Sequence, residues 1–163
     1  MSEASDARYV VIDGPRWRAT DPSIPEPLRT ELVLELMAAR RAVRAAGDDD
    51  EATARARARV HDAKVALGER GHPWWEPASS GSLEARLTAA VRTLLRHRSS
   101  TSSICPSDVA RVAGGTHWRS AMEPARTVAR RLARDGEVRL TRGSDELDPE
   151  GELKGPIRIR RSV

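Results

Sequence analysis

Residues 105–161 read CPSDVARVAGGTHWRSAMEPARTVARRLARDGEVRLTRGSDELDPEGELKGPIRIRR. The order is a short helix, a turn at Gly114-Gly115, an arginine-studded helix, and two β runs around a polar loop. Ser107, after Pro106, suits an N-cap for DVARVA, and Gly114-Gly115 permits the positive φ that stops a helix. EVRLTR and PIRIRR alternate apolar and basic residues, which is the period of strands with one buried face, and the loop between them fits a β wing. A helix presented beside a β hairpin predicts a winged helix-turn-helix, a common way for a small domain to enter a DNA groove.

The helix predicted from about His117 to Asp135 carries the sharpest pattern. At 100° per residue, Arg126, Arg130 and Arg134 fall within about 80° of one another. Met122, Ala125, Val128, Ala129 and Leu132 occupy the opposite side, as expected for a helix buried along one edge. The arginine ridge is the predicted nucleic-acid-binding face, with Arg111, Arg119, Arg139 and Arg142 as supporting phosphate contacts. Glu123 lies on the ridge, where it can pair with Arg119 or Arg126 and would repel a phosphate. The wing loop carries Asp145, Glu146, Asp148, Glu150 and Glu152, which argues against a wing inserted into the minor groove.

Working back from this region, Leu83, Leu87, Ala90, Val91, Leu94 and Leu95 give a scaffold helix a broad apolar face, with Ser82 as its expected N-cap. Ile104 and its neighbours supply a short strand. EPASSGS, residues 76–82, is a Pro/Gly/Ser linker. Before it, residues 8–12 and 16–19 fit a β hairpin around Asp13-Gly14-Pro15. Ser23 and Glu26 fit a capping box for a helix to about Ala46, with a stripe of Leu28, Leu32, Leu36, Ala39 and Val43. A second helix, capped by Asp48 or Asp49, runs to about Arg70. Its stripe of Ala52, Ala56, Val60, Ala63 and Leu67 lets it approach the first helix closely as an αα-hairpin. Because alanines bury little area, Trp17, Trp74 and Trp75 are expected to add packing bulk. The division is therefore a disordered start over 1–7, a β-hairpin and αα-hairpin module over 8–77, a linker over 78–82 and a winged-helix domain over 83–163. The fold class is mainly α with small β.

The chain has 163 residues and a formal net charge of +4. Residues 1–78 hold 12 Lys+Arg against 14 Asp+Glu, whereas residues 79–163 hold 16 against 10. A basic C-terminal half beside a near-neutral N-terminal half fits a nucleic-acid module with an attached accessory segment. Arginine outnumbers lysine 26 to 2, so a coding bias competes with selection for polyanions as the source of the excess. No apolar run approaches a spanning helix, and the polar start lacks the pattern of a signal peptide. With one cysteine, Cys105, no intramolecular disulfide can form, and a cytoplasmic location is expected.

ICPSDVAR, then Trp118-Arg119 and Met122, LARDGEVRLTRG and KGPIRIRR resemble an uncharacterised bacterial winged-helix family, domain of unknown function 3253, over residues 83–161. The resemblance implies a fold and no activity. RYVVIDGPRWRATDPSIPEPLR and RVHDAKVALGERGHPWWEP resemble small bacterial proteins labelled "biopolymer transporter Tol". A Tol-system component would need a membrane anchor, and no apolar run supplies one.

No glycine-rich phosphate loop and no Cys/His spacing for zinc is present. His61, His72, His97 and His117 are isolated by spacing. Cys105 and Ser107-Asp108 are accounted for by helix capping and packing, with no positioned histidine beside them. The expectation is a protein that is not an enzyme and uses no cofactor or metal. Its partner is double-stranded DNA or, alternatively, another protein bound without DNA.

Overall fold

A computed structural model describes residues 7–162. Apart from Ala7, the start predicted to be disordered lies outside the described residues. Strands β1 (Tyr9–Val11) and β2 (Arg16–Arg18) form the expected antiparallel hairpin, with Val10 opposite Trp17. Tyr9 points to the other face and meets Trp75 edge-on at 5.5 Å. The Trp74 indole donates to the Ala19 carbonyl at 3.0 Å. Trp74 and Trp75 are half-buried, but Trp17 is 49% exposed, against the expectation of a packing role. The two-residue period of the hairpin puts it on the face turned away from the other tryptophans.

Helix α1 (Glu26–Ala46) and helix α2 (Asp50–Ala66) form the predicted hairpin. Ala39, Ala56 and Ala63 are buried, and such small side chains allow the close approach. Asp49 caps α2 by accepting from the Ala52 N–H at 3.0 Å. The capping box expected of Ser23 and Glu26 is not formed. Pro25 precedes the helix and Pro27 sits in its first turn, where a missing N–H leaves one fewer donor to satisfy. Ser23 instead donates from its hydroxyl and its N–H to Asp21 Oδ1 at 2.7 and 2.9 Å. Helix α2 stops at Ala66, short of Arg70, where the chain turns at Gly68 against Trp74.

Helix α3 (Ser80–His97) is the scaffold. Its N-cap is Ser79, which accepts from the Ser82 N–H at 3.1 Å, so three residues of the expected linker become its first turn. Leu87, Thr88, Ala89, Ala90, Val91, Thr93, Leu94 and Leu95 are all buried, so this stretch of α3 is covered over most of its circumference. It packs against α1 and α2 and also against helices α4 (Pro106–Gly114) and α5 (Met122–Arg134). The core is accordingly one cluster, running from Leu28, Leu32 and Leu36 through α3 to Val109, Val128, Leu132, Leu140 and Ile159. Partly buried ion pairs cross the same boundary: Arg98 to Glu31 and Arg96 to Asp62, each at 2.7 Å.

Strands β3 (Ser103–Ile104), β4 (Val138–Arg142), β5 (Asp145–Leu147) and β6 (Arg158–Arg161) form one antiparallel sheet in the order β3-β6-β4-β5. The fold is mainly α with small β. The order of helix, short strand, two helices and strands follows the sequence expectation, with three local differences. Cys105, not Ser107, is the N-cap of α4, with Pro106 at the first helical position and the Cys105 N–H donating to Asp108 Oδ2 at 3.0 Å.

The second difference lies in the arginine helix. Residues Gly115–Ala121 form a 3₁₀ segment, and α5 begins only at Met122. Pro124 accounts for this. An α-helix continued back through Ser120 would bring the Ser120 carbonyl against the proline ring and leave it without its N–H partner, whereas a start at Met122 puts Pro124 in the first turn. The third difference is β5, which pairs with β4 through the two-residue turn Gly143-Ser144, Gly143 having φ +59°. Gly-Ser between strand residues is itself a hairpin signal.

Candidate nucleic-acid interface

The segment from Asp148 to Ile157 leaves β5 and returns to β6, and it does not project as a wing tip. Leu153 and Ile157 are buried in the core. Their anchoring lays the intervening chain over the arginine side of α5. Arg126 Nη2 donates to the Leu153 carbonyl. Arg130 Nη1 donates to the carbonyls of Pro149 and Gly151, both at 2.7 Å. Arg134 Nε lies 2.6 Å from Glu150 Oε1. The three ridge arginines are thus brought together as their spacing predicted, and the chain's own loop occupies them.

The supporting arginines are placed differently. Arg119 is on the 3₁₀ segment and off the α5 ridge, because the helix does not extend back to it. It stacks 4.6 Å from the centre of the Trp118 ring, and Arg111 of α4 stacks 4.5 Å from the same ring. Arg139 of β4 donates to the Arg161 carbonyl at 3.1 Å. Arg142 donates to the Pro156 carbonyl at 3.1 Å and to that of Lys154. Glu123 is exposed and forms no ion pair among the described residues.

The partners of these side chains decide the local electrostatics. A carbonyl satisfies a guanidinium N–H without cancelling its charge, whereas a carboxylate does both. Of the seven arginines singled out, Arg134 alone pairs with a carboxylate among the described residues, and Arg111, Arg119, Arg126, Arg130, Arg139 and Arg142 do not. The arginines of α3 and its C-cap contrast with them. Arg92 forms a two-point contact with Glu137 at 2.9 and 2.7 Å. This hydrogen bonding holds the Glu137 carboxyl below its usual range, against a smaller opposing effect of burial. Hydrogen bonding to Glu31 likewise raises Arg98. Burial lowers Arg86, with the charge of Asp21 and its hydrogen bond opposing.

Arg158, Arg160 and Arg161 of β6 lie outside the predicted nucleic-acid-binding set. Alternation in Pro156–Arg161 was the available signal, since Ile157 and Ile159 point inward and Arg158 and Arg160 outward. Arg161 turns toward α3, where it donates to the carbonyls of Leu95, Arg96 and Arg98 at 2.6, 2.8 and 2.7 Å. Such a cation satisfies the orphan acceptors at a helix C-terminus.

A separate groove of about 1130 Å³ runs between α3, the 70–78 loop and the 3₁₀ segment. His61 Nδ1 lies 3.2 Å from Arg70 Nη1 there, and His72 Nε2 lies 2.9 Å from the Pro77 carbonyl. Among the described residues no three His, Cys, Asp or Glu side chains group as metal ligands. No described helix is long and apolar enough to cross a membrane.

The C-terminal half is helical with a small antiparallel sheet, and Arg111, Arg119, Arg126, Arg130, Arg139 and Arg142 have no carboxylate partner among its described residues. Residues 84–162 match the model of a protein family described as "Protein of unknown function (DUF3253)". No curated protein matches the chain.

Proposed function

We propose that this chain is a non-enzymatic, cytoplasmic nucleic-acid-binding protein whose C-terminal domain is a winged helix that contacts double-stranded DNA. The observation that carries the reading is the uncancelled charge of Arg111, Arg119, Arg126, Arg130, Arg139 and Arg142, which have no carboxylate partner among the described residues. Phosphates compete well for such guanidiniums, because they add charge neutralisation to hydrogen bonding. In this reading the contact to the duplex is made mainly through phosphate and carries little sequence information. The test is titration of a fluorescent duplex with the full chain across a series of salt concentrations. Binding that weakens steeply with salt supports the reading, and no binding at low salt overturns it.

A second reading, a protein-interaction module, is favoured by one observation. Val10 and Trp17 are exposed as a cross-strand pair on one face of the N-terminal hairpin, and Val11 and Ile12 are exposed beside them, far in sequence from the arginines. Substituting Val11→Ser and Trp17→Ser leaves duplex binding intact under the first reading.

A further inference from the structure

We propose that the outer face of the C-terminal sheet, built from Arg139, Arg158 and Arg160, is the surface that receives the phosphate backbone of duplex nucleic acid. The inference rests on the nucleic-acid reading above and names a surface other than the arginine ridge of α5. Strand register places the three side chains on one face. Arg139 of β4 lies directly opposite Arg160 of β6, and Arg158 lies opposite Thr141 one pleat along. The residues alternating with them, Leu140 and Ile159, are buried in the core.

Two features set this face apart from an ordinary solvated surface. Like charges directly opposite each other in a ladder repel, so the Arg139–Arg160 pair is an arrangement that a bound anion would relieve. The side chains are also held in place. Arg158 donates to the Ser103 hydroxyl at 2.9 Å and the Ser103 carbonyl at 3.1 Å. Arg160 donates to the Thr141 hydroxyl at 3.1 Å and the Thr101 carbonyl at 2.9 Å. Arg139 makes a single bond, to the Arg161 carbonyl. Each guanidinium has five N–H donors and uses no more than two of them. All of these partners are neutral, so three charges remain within a patch whose strands lie about 4.8 Å apart. Glu146, opposite Thr141 on the edge strand β5, is the acidic residue that the register puts on this face.

The occupant follows from charge and shape. Nothing aromatic stands among the accessible residues of this face, Arg139, Glu146, Arg158 and Arg160, with Ser103 and Thr141 buried between them, so unpaired bases would find no surface to stack on. A flat row of fixed guanidiniums suits the phosphates of a duplex, read without base contacts. The ridge of α5 is by comparison occupied by the 148–154 loop, whose Leu153 is part of the core.

The test uses the full chain and two duplexes of unrelated sequence. Both are expected to bind with the same affinity and salt dependence. The triple variant Arg139→Gln/Arg158→Gln/Arg160→Gln is expected to lower the log–log salt slope by about one per arginine, about three in all. The matching triple Arg→Lys variant keeps the slope near that of the wild type, and thermal melts confirm that each variant folds. If the Gln triple does not fold, Arg158→Gln alone, at the most exposed of the three positions, is expected to lower the slope by about one. A folded Gln variant that binds as the wild type does overturns the sheet face while leaving the nucleic-acid reading standing. A folded Lys triple that loses binding as the Gln triple does overturns the argument from charge. A wild-type chain that fails to bind duplex at low salt removes the nucleic-acid reading itself, and this inference with it.

Discussion

Arg86 Nη2 lies 2.9 Å from Asp21 Oδ2, and both side chains are largely buried. The pair joins the scaffold helix of the C-terminal half to the segment that leads into α1. Arg86 also donates from Nε to the Ala66 carbonyl at 3.2 Å, so one guanidinium ties three elements together. Removing one partner leaves the other charged and poorly solvated. Asp21→Ala is expected to lower unfolding stability by roughly 3–5 kcal/mol, read from urea denaturation. A loss below about 1 kcal/mol would place the pair among ordinary surface contacts.

The same boundary predicts how the C-terminal half behaves alone. Because α3 is buried nearly all round and α1 and α2 cover part of it, residues 79–163 in isolation expose apolar surface that the full chain hides. The fragment is expected to melt at a lower temperature than the full chain and to bind a hydrophobic dye. A fragment as stable as the whole would show that α1 and α2 contribute nothing to this core.

The loop over the ridge is held by its apolar anchor more than by its charges. Arg134 and Glu150 are both about half-exposed or more, so Arg134→Ala is expected to cost at most about 1 kcal/mol. Leu153→Ala removes a buried side chain and is expected to cost roughly 2–5 kcal/mol, with faster amide exchange confined to residues 148–154. Equal costs from the two substitutions would contradict this ranking.

Gly115 takes φ +57° and ψ −136°, and a Cβ there would stand 3.1 Å from the Ser23 hydroxyl oxygen. Few side chains tolerate that backbone conformation, so Gly115→Ala is expected to destabilise by roughly 1–3 kcal/mol, measured by thermal or urea unfolding. Gly47→Ala tests the backbone contribution alone, since Gly47 has a similar φ of +53° and nothing within 4 Å of an added Cβ.

Acid sensitivity follows from Glu137. Its carboxyl is held below the ordinary value of 4.5, chiefly by the hydrogen bond from Arg92. A carboxyl lowered in the folded state contributes stability that is fully present above its unfolded-state pKa. That contribution is lost as pH falls below 4.5 through the lowered folded-state value. Glu137→Gln is expected to flatten the acid limb of the stability–pH curve and to leave its slope unchanged above about pH 6, beyond the ordinary carboxylate range. An unaltered acid limb would show that the pair is screened by solvent.

Most secondary structure was legible because it depends on near neighbours. The stripe of Leu28, Leu32, Leu36 and Ala39 and the alternation in EVRLTR and PIRIRR each identify a buried face from sequence alone. Helix ends were less legible where several residues could serve. Three serines compete to start α3, and Ser79 wins by adding a turn. Pro124 was visible in the sequence, yet its effect in shortening α5 depends on which turn it occupies.

The candidate site divides along the same line. Helical spacing by itself determined that Arg126, Arg130 and Arg134 share a face, because 3.6 residues per turn is a local property. Strand alternation by itself determined that Arg158 and Arg160 share another. Only the tertiary structure decided which of these faces the chain's own loop covers. Burial of Leu153 and Ile157 lays the 148–157 segment across α5, and the sheet register sets Arg139 beside Arg160. Both depend on residues distant in sequence finding one shared core, and a single chain's residue order carries no direct signal of that packing.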